Sequence, residues 1–144
     1  MALVIHLKKG AQLIVNGAVL ENVTGRPISL ALKNDATILR GDDILSPDAA
    51  VTPASRVYYA LQCAYLFRER RHEALLSFHE LLDSYQAAAP SARPIADEVM
   101  AALAADDFYA ALKKAQALIQ HEGRLLSDVE ERLVKELQSA PAAG

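Results

Sequence analysis

Apolar and polar residues alternate in short runs over the first forty positions, and from Thr52 onward apolar residues recur every three or four. The first rhythm is that of half-buried strands and the second that of helices. Leu3, Ile5 and Leu7 alternate with Val4, His6 and Lys8 before Lys9-Gly10 breaks the run. Gln12 to Val15 and Ala18 to Glu21 flank Asn16-Gly17. That dipeptide suits a two-residue type I′ turn, whose central positions both need positive φ. Gly25-Arg26-Pro27 marks another turn, after which Ile28, Leu30 and Leu32 alternate with Ser29, Ala31 and Lys33. Asn34-Asp35 turns the chain again, and Ala36 to Arg40 makes a fifth strand ahead of Gly41. Short strands at this spacing predict a small antiparallel barrel or sandwich. Such a module buries too little surface to stand alone, so it is expected to lean on a helix or on a second copy of itself.

The helical part opens at Thr52-Pro53, an N-cap residue followed by proline at the first helical position. Val57, Leu61, Ala64 and Tyr65 share one face of a helix predicted to reach about Arg68. A second helix is predicted from about Glu69 to Ala88, where HEALLSF (72–78) and HELLDSY (79–85) nearly repeat. The seven-residue step aligns Leu75, Phe78, Leu82 and Tyr85 into a packing seam, although two heptads are too few for a coiled coil. Pro90 and Pro94 close that segment, and Ile95 to Ala104 forms a third helix. Asp107 to Glu122 forms a fourth, capped near Asp106 or Asp107, and Leu125 to Leu137 a fifth. Gly123 either ends the fourth helix or merely weakens it. The fold class is therefore α+β: a small N-terminal antiparallel five-stranded β-barrel or sandwich over residues 1–45, then an all-α body of four to five helices over 46–138. Residues 139–144, SAPAAG, read as a flexible, frayed tail.

Composition narrows the class. A hydrophobic fraction of 52% with charged residues at 23% marks a folded, soluble chain. No apolar run approaches the roughly 20 residues of a membrane span. In MALVIHLKKG the lysines follow the apolar run, the reverse of a signal peptide. A cytoplasmic home fits this, and so does the single cysteine, Cys63, which can close no internal disulfide and has no metal-ligand spacing.

Enzyme chemistry finds little support. Cys63 lies among apolar helical neighbours with no histidine matched to it, which reads as a buried, inert thiol. His72 and His79 are two helical turns apart, about 10 Å of rise, too far to share one ion. The neighbouring carboxylates Asp42-Asp43, Asp97-Glu98 and Asp106-Asp107 point in different directions on regular elements, and no glycine-rich phosphate loop is present. The expectation is a non-enzyme with neither cofactor nor metal.

The net charge of −3 argues against general affinity for nucleic acid. The balance is uneven, however. Residues 1–55 are neutral, with Lys8, Lys9, Arg26, Lys33 and Arg40 offsetting Glu21, Asp35, Asp42, Asp43 and Asp48. The first aromatic residue, Tyr58, lies outside the β-module, which excludes base stacking in the manner of aromatic RNA-binding sheets. A guanidinium plane can also stack on and hydrogen-bond a base, and Arg40 ends a strand at the module's rim. Its plainer use is an ion pair with Asp42 or Asp43. Tyr58, Tyr59 and Tyr65 form either an aromatic patch or a helix face packed on the β-module. Arg68-Glu69-Arg70-Arg71 reads as a charged connector between helices.

The segments LKKGAQLIVNGAVLEN and ATILRGDDILSPDAAVTPASRVYYALQ resemble the FlbT family of flagellar post-transcriptional regulators. The resemblance rests on Gly10, Asn16-Gly17, Glu21-Asn22, Ile38-Leu39-Arg40, Asp43-Ile44, Thr52-Pro53 and Arg56. It implies binding to the 5′ untranslated leader of flagellin messenger RNA, control of its translation or decay, and coupling to the regulator FlaF. The β-module alone is also similar to the CsrA family of RNA-binding proteins, in its order of strands and its Ile38-Leu39-Arg40-Gly41-Asp42-Asp43-Ile44 run. That similarity implies an RNA contact at Arg40 and leaves a homodimer open, since here the helical body could cover the module instead. Lys8, Lys9, Lys33 and Arg26 are then the candidate phosphate contacts. The rival expectation is a protein-interaction adaptor whose helical body holds FlaF or flagellin, with no RNA contact.

Overall fold

A computed structural model describes residues 3–139. Five strands come first: β1 (Leu3–Leu7), β2 (Gln12–Val15), β3 (Ala18–Glu21), β4 (Ile28–Leu32) and β5 (Ile38–Arg40). Four helices follow: α1 (Pro53–Leu66), α2 (Arg71–Ala88), α3 (Arg93–Ala104) and α4 (Phe108–Ser139). The chain is α+β, as the two periodicities predict.

The strands form two antiparallel sheets. β1 and β4 make a ribbon whose register runs from Leu3 opposite Leu32 to Leu7 opposite Ile28. β2 lies between β3 and β5 in the second sheet. The β2–β3 hairpin turns at Asn16 and Gly17, with φ of 50° and 85°, the left-handed geometry that asparagine and glycine tolerate best. Side chains alternate across a strand, and β2 buries both faces. Leu13 joins Ile5 and Leu7 beneath the ribbon, with Val15, Ile28 and Ile38 at the border of that small core. Ile14 and Leu39 point the other way, into the core of the helices. The three-stranded sheet is thus the middle layer between ribbon and helical body. Leu3 and Leu30, expected to be half-buried, stay 48% and 37% exposed because the core beneath the ribbon is so small.

Thr52 and Ser55 form a reciprocal capping box at the start of α1, with Pro53 at its first position. α1 stops at Leu66, short of Arg68, and a 3₁₀ turn over Arg68–Arg70 leads into α2. The charged connector is partly structural. Arg71 donates from Nε to the Ala64 carbonyl at 2.8 Å and lies 4.1 Å over the Phe108 ring. The seam of α2 packs as its spacing predicts: Phe78, Leu82 and Tyr85 are buried. Ala54, Ala64, Ala92, Ala96, Ala111 and Ala115 are wholly inaccessible. Their small size lets the helices approach closely around Leu61, Leu112 and Leu118.

The predicted fourth and fifth helices are one. α4 runs without a break through Gly123, about 48 Å at 1.5 Å per residue. A glycine costs a helix about 1 kcal/mol relative to alanine, too little to stop one flanked by good helix formers. Asp107 caps its start through a 3.0 Å hydrogen bond from the Ala110 amide. Of the tail expected from 139, Ser139 is still helical, and 140–144 lie outside the described residues.

His121 on α4 is buried and has both ring nitrogens engaged, with Tyr85 Oη and Ser91 Oγ each at 2.8 Å. These contacts fasten the end of α2 and the turn after it to α4. Among the described residues no buried side-chain nitrogen or oxygen lacks a partner. Replacing His121→Ala opens a hole and strands the Tyr85 hydroxyl, so urea unfolding is expected to show a loss of about 2 kcal/mol.

Candidate nucleic-acid interface

The end of β1, the start of β2, the end of β3, the start of β4 and the end of β5 all meet at one end of the β-module. Asn22, 3% exposed, pins that end. Its amide group reaches the carbonyls of Leu7, Lys8 and Arg26 at 3.1, 3.1 and 2.9 Å. Its Oδ1 accepts from the Thr24 amide and hydroxyl at 3.0 and 2.6 Å. Its backbone pairs with Gly10 and Ala11. The exposed Lys8, Lys9 and Arg26 are thereby held on one scaffold. Glu21 and Asp42 also lie at this end, so it carries a modest cationic excess rather than a strongly basic field.

Arg40 belongs to the same end. It pairs with Leu13, two residues past Ala11, whose amide is tied to the Lys8 carbonyl. Strand alternation puts Arg40 on the side of Ile38, away from the helices that hold Leu39, and its side chain is exposed. The ion pair with Asp42 or Asp43 does not form: among the described residues Arg40 enters no ion pair. Asp43 is taken elsewhere. Its Oδ1 accepts from Lys113 Nζ at 2.9 Å and Gln116 Nε2 at 2.7 Å, and the Tyr58 hydroxyl donates to its carbonyl. Partial burial pushes the Asp43 carboxyl up. The hydrogen bonds from Lys113 and Gln116, with the charges of Lys113 and Arg40, outweigh burial and hold it below the ordinary carboxylate range.

Beside Arg40 lies a crevice of about 230 Å³ lined by Ile38, Leu39, Arg40, Asp43, Tyr65 and Tyr109. Tyr65 is fixed by donating to the Ile38 carbonyl at 2.9 Å and meets Tyr109 edge to face at 5.9 Å. Tyr109 is 47% exposed. The β-module has no aromatic residue of its own, but the first turn of α4 brings one alongside Arg40. The only hint in the sequence was the pair Phe108-Tyr109 just after the helix cap.

Lys33 stands apart. It follows Leu32, which pairs with Leu3 at the far end of the ribbon, roughly 13 Å of strand from the Leu7–Ile28 pair. Tyr58 and Tyr65 bind backbone of the β-strands and the turn after them, whereas Tyr59 faces a groove between α1 and α2. Cys63 lines that groove and is half-buried rather than buried. Burial pushes its thiol up, against the pull of Tyr59 and Arg70, so it stays protonated near neutrality. His72 and His79 sit on the surface side of α2, and among the described residues no three potential ligands gather to hold a metal.

The family model described as flagellar protein FlbT matches residues 3–126. A Bradyrhizobium diazoefficiens protein named probable flagellum biosynthesis repressor protein FlbT 1 is 35% identical over 130 residues, covering 90% of this chain and 88% of that protein. The Caulobacter vibrioides flagellum biosynthesis repressor protein FlbT is 30% identical over 131 residues, 90% of this chain and 92% of its own. An Agrobacterium fabrum protein named probable flagellum biosynthesis repressor protein FlbT is 32% identical over 143 residues, 96% of this chain and 87% of its own. No solved structure matches the chain.

The lowered Asp43 carboxyl sets a pH dependence. A carboxyl held below its unfolded value stabilises the fold fully above about pH 4 and loses that contribution as pH falls through the lower, folded value. Asp43→Asn is therefore expected to unfold more easily than the parent at pH 7, by about 1 kcal/mol for a charged hydrogen-bond pair that is 17% exposed on its acidic side. The gap should close in acid. Chemical denaturation at both pH values checks this.

Proposed function

The chain belongs to the FlbT family, and on that footing we propose that it is a post-transcriptional regulator of flagellum biosynthesis that binds the leader of a flagellin messenger RNA. An unpaired, purine-bearing segment of the leader is the ligand, and its translation or decay is the controlled step. One observation carries the reading: an exposed arginine with no ion-pair partner among the described residues flanks a base-sized crevice walled by a half-exposed tyrosine. In this reading a base stacks on Tyr109 while the Arg40 guanidinium hydrogen-bonds its edge. Lys8, Lys9 and Arg26 hold phosphates on either side, and Lys33 serves only a longer RNA that wraps the ribbon. The repressor names of the relatives favour negative control.

A protein adaptor with no RNA contact is the second reading. It draws on the apolar groove of about 460 Å³ between α1 and α2, floored by Ala60, Ala74 and Ser77. Purified protein, free of partners, separates the two by whether it retards a flagellin leader RNA on a gel.

Arg40→Ala and Tyr109→Ala should each weaken leader binding about tenfold, the scale of one lost stacking or base contact, with thermal stability little changed. Three phosphate contacts predict a log–log salt slope of about −2 on single-stranded RNA. Parent-like affinity in a folded Arg40→Ala variant would remove Arg40 from the interface.

A further inference from the structure

The crevice beside Arg40 holds two opposite charges that do not meet. Arg40 and Asp43 both line it, yet among the described residues no ion pair joins them. The Asp43 carboxylate is also used unequally. Oδ1 accepts from Lys113 Nζ at 2.9 Å and from Gln116 Nε2 at 2.7 Å, whereas Oδ2 has no hydrogen-bond partner among the described residues. No fully buried side-chain oxygen there lacks a partner, so Oδ2 is open to solvent. Burial raises this carboxyl, but the bonds from Lys113 and Gln116 and the charges of Lys113 and Arg40 lower it on balance. It is therefore an anion near neutrality and only accepts, while the guanidinium only donates.

Resting on the RNA-binding reading above, we propose that this crevice selects a base that sets a ring carbonyl beside a ring N–H. Guanine fits first and uracil second, and adenine and cytosine are rejected. Guanine presents O6 and N7 to the fork of Arg40 and turns N1–H, with its amino group, to Asp43 Oδ2. Uracil offers O4 and N3–H in the same order. It has no second acceptor for the fork and no amino group, and its smaller ring covers less of Tyr109. Adenine reverses both contacts. Its amino group faces the donors of Arg40, and its N1 lone pair faces the carboxylate. Cytosine repeats that mismatch with its N4 amino group and N3.

Rejection is the stronger half of the selection. A polar edge withdrawn from water against a group of its own kind loses its hydration and gains no bond. Lys113 and Gln116 hold the carboxylate in place before RNA arrives, and Tyr65 is pinned by the Ile38 carbonyl. Little ordering is then left for the base itself to impose.

Competition for a labelled flagellin leader RNA tests this. The competitors are short oligocytidines that differ in one central base. Guanine at that position is expected to compete about tenfold better than adenine or cytosine, the scale of one base-edge contact, with uracil between them. Inosine keeps O6, N7 and N1–H and lacks only the amino group, so it should stay close to guanine. In Asp43→Asn the amide oxygen stays with Lys113 and Gln116 and the amide NH₂ turns to the crevice, so the gap between guanine and adenine should shrink. A ratio between two RNAs on one folded variant is not moved by a loss of stability alone. A flat order among the competitors, or adenine ahead of guanine, overturns the proposal, as does an unchanged ratio in Asp43→Asn. Where the leader binds and Arg40→Ala weakens it, those outcomes leave the RNA-binding reading standing. A leader that does not bind at all removes both.

Discussion

The architecture hangs on a four-residue strand with no idle face. β2 sends Leu13 toward the ribbon and Ile14 toward the helices, and each side chain is almost completely removed from water. A one-residue slip of β2 against β5 would exchange these sides, so the register is held from both directions. That register also fixes Arg40, which is paired with Leu13 and emerges at the rim beside the crevice. The small β-module thus leans on the helical body through Ile14 and Leu39.

Asp43 closes the remaining gap between the two layers. One carboxylate oxygen gathers Lys113 and Gln116 from α4 while the backbone beside it receives Tyr58 from α1. This occupation leaves the guanidinium of Arg40 turned outward. It also seats the first turn of α4 against β5, which brings Tyr109 to the crevice. Lys113 takes the carboxylate that Arg40 was expected to pair with, and among the described residues Arg40 enters no ion pair.

Features governed by near neighbours were legible in the sequence. Asn16-Gly17 makes its turn, Thr52-Pro53 starts its helix, and the seam from Phe78 to Tyr85 packs, because each depends on residues within a few positions. The place of Arg40 at the rim was legible for the same reason, but its residue pattern favoured an ion pair with Asp42 or Asp43 that is absent among the described residues. Tyr109 was not legible, since its approach to Arg40 depends on how α4 crosses the sheet, with most of the helical body intervening in the chain. The partners of Asp43 were hidden likewise, and so were those of His121, which passes for an ordinary polar residue until Tyr85 and Ser91 close around it. Gly123 misled because a glycine's weak intrinsic cost was set against the cooperativity of a helix already nucleated on a packed body.

α4 carries Tyr109 on its opening turn and solvent-facing turns at its far end, joined by one unbroken ladder of backbone hydrogen bonds. Such a rod transmits tilt. It ties the direction of the exposed last turns to that of the turn that walls the crevice. Gly123, with open space around it and no side chain, is where the rod bends most readily, which makes it a point of mechanical compliance rather than a flaw in the helix.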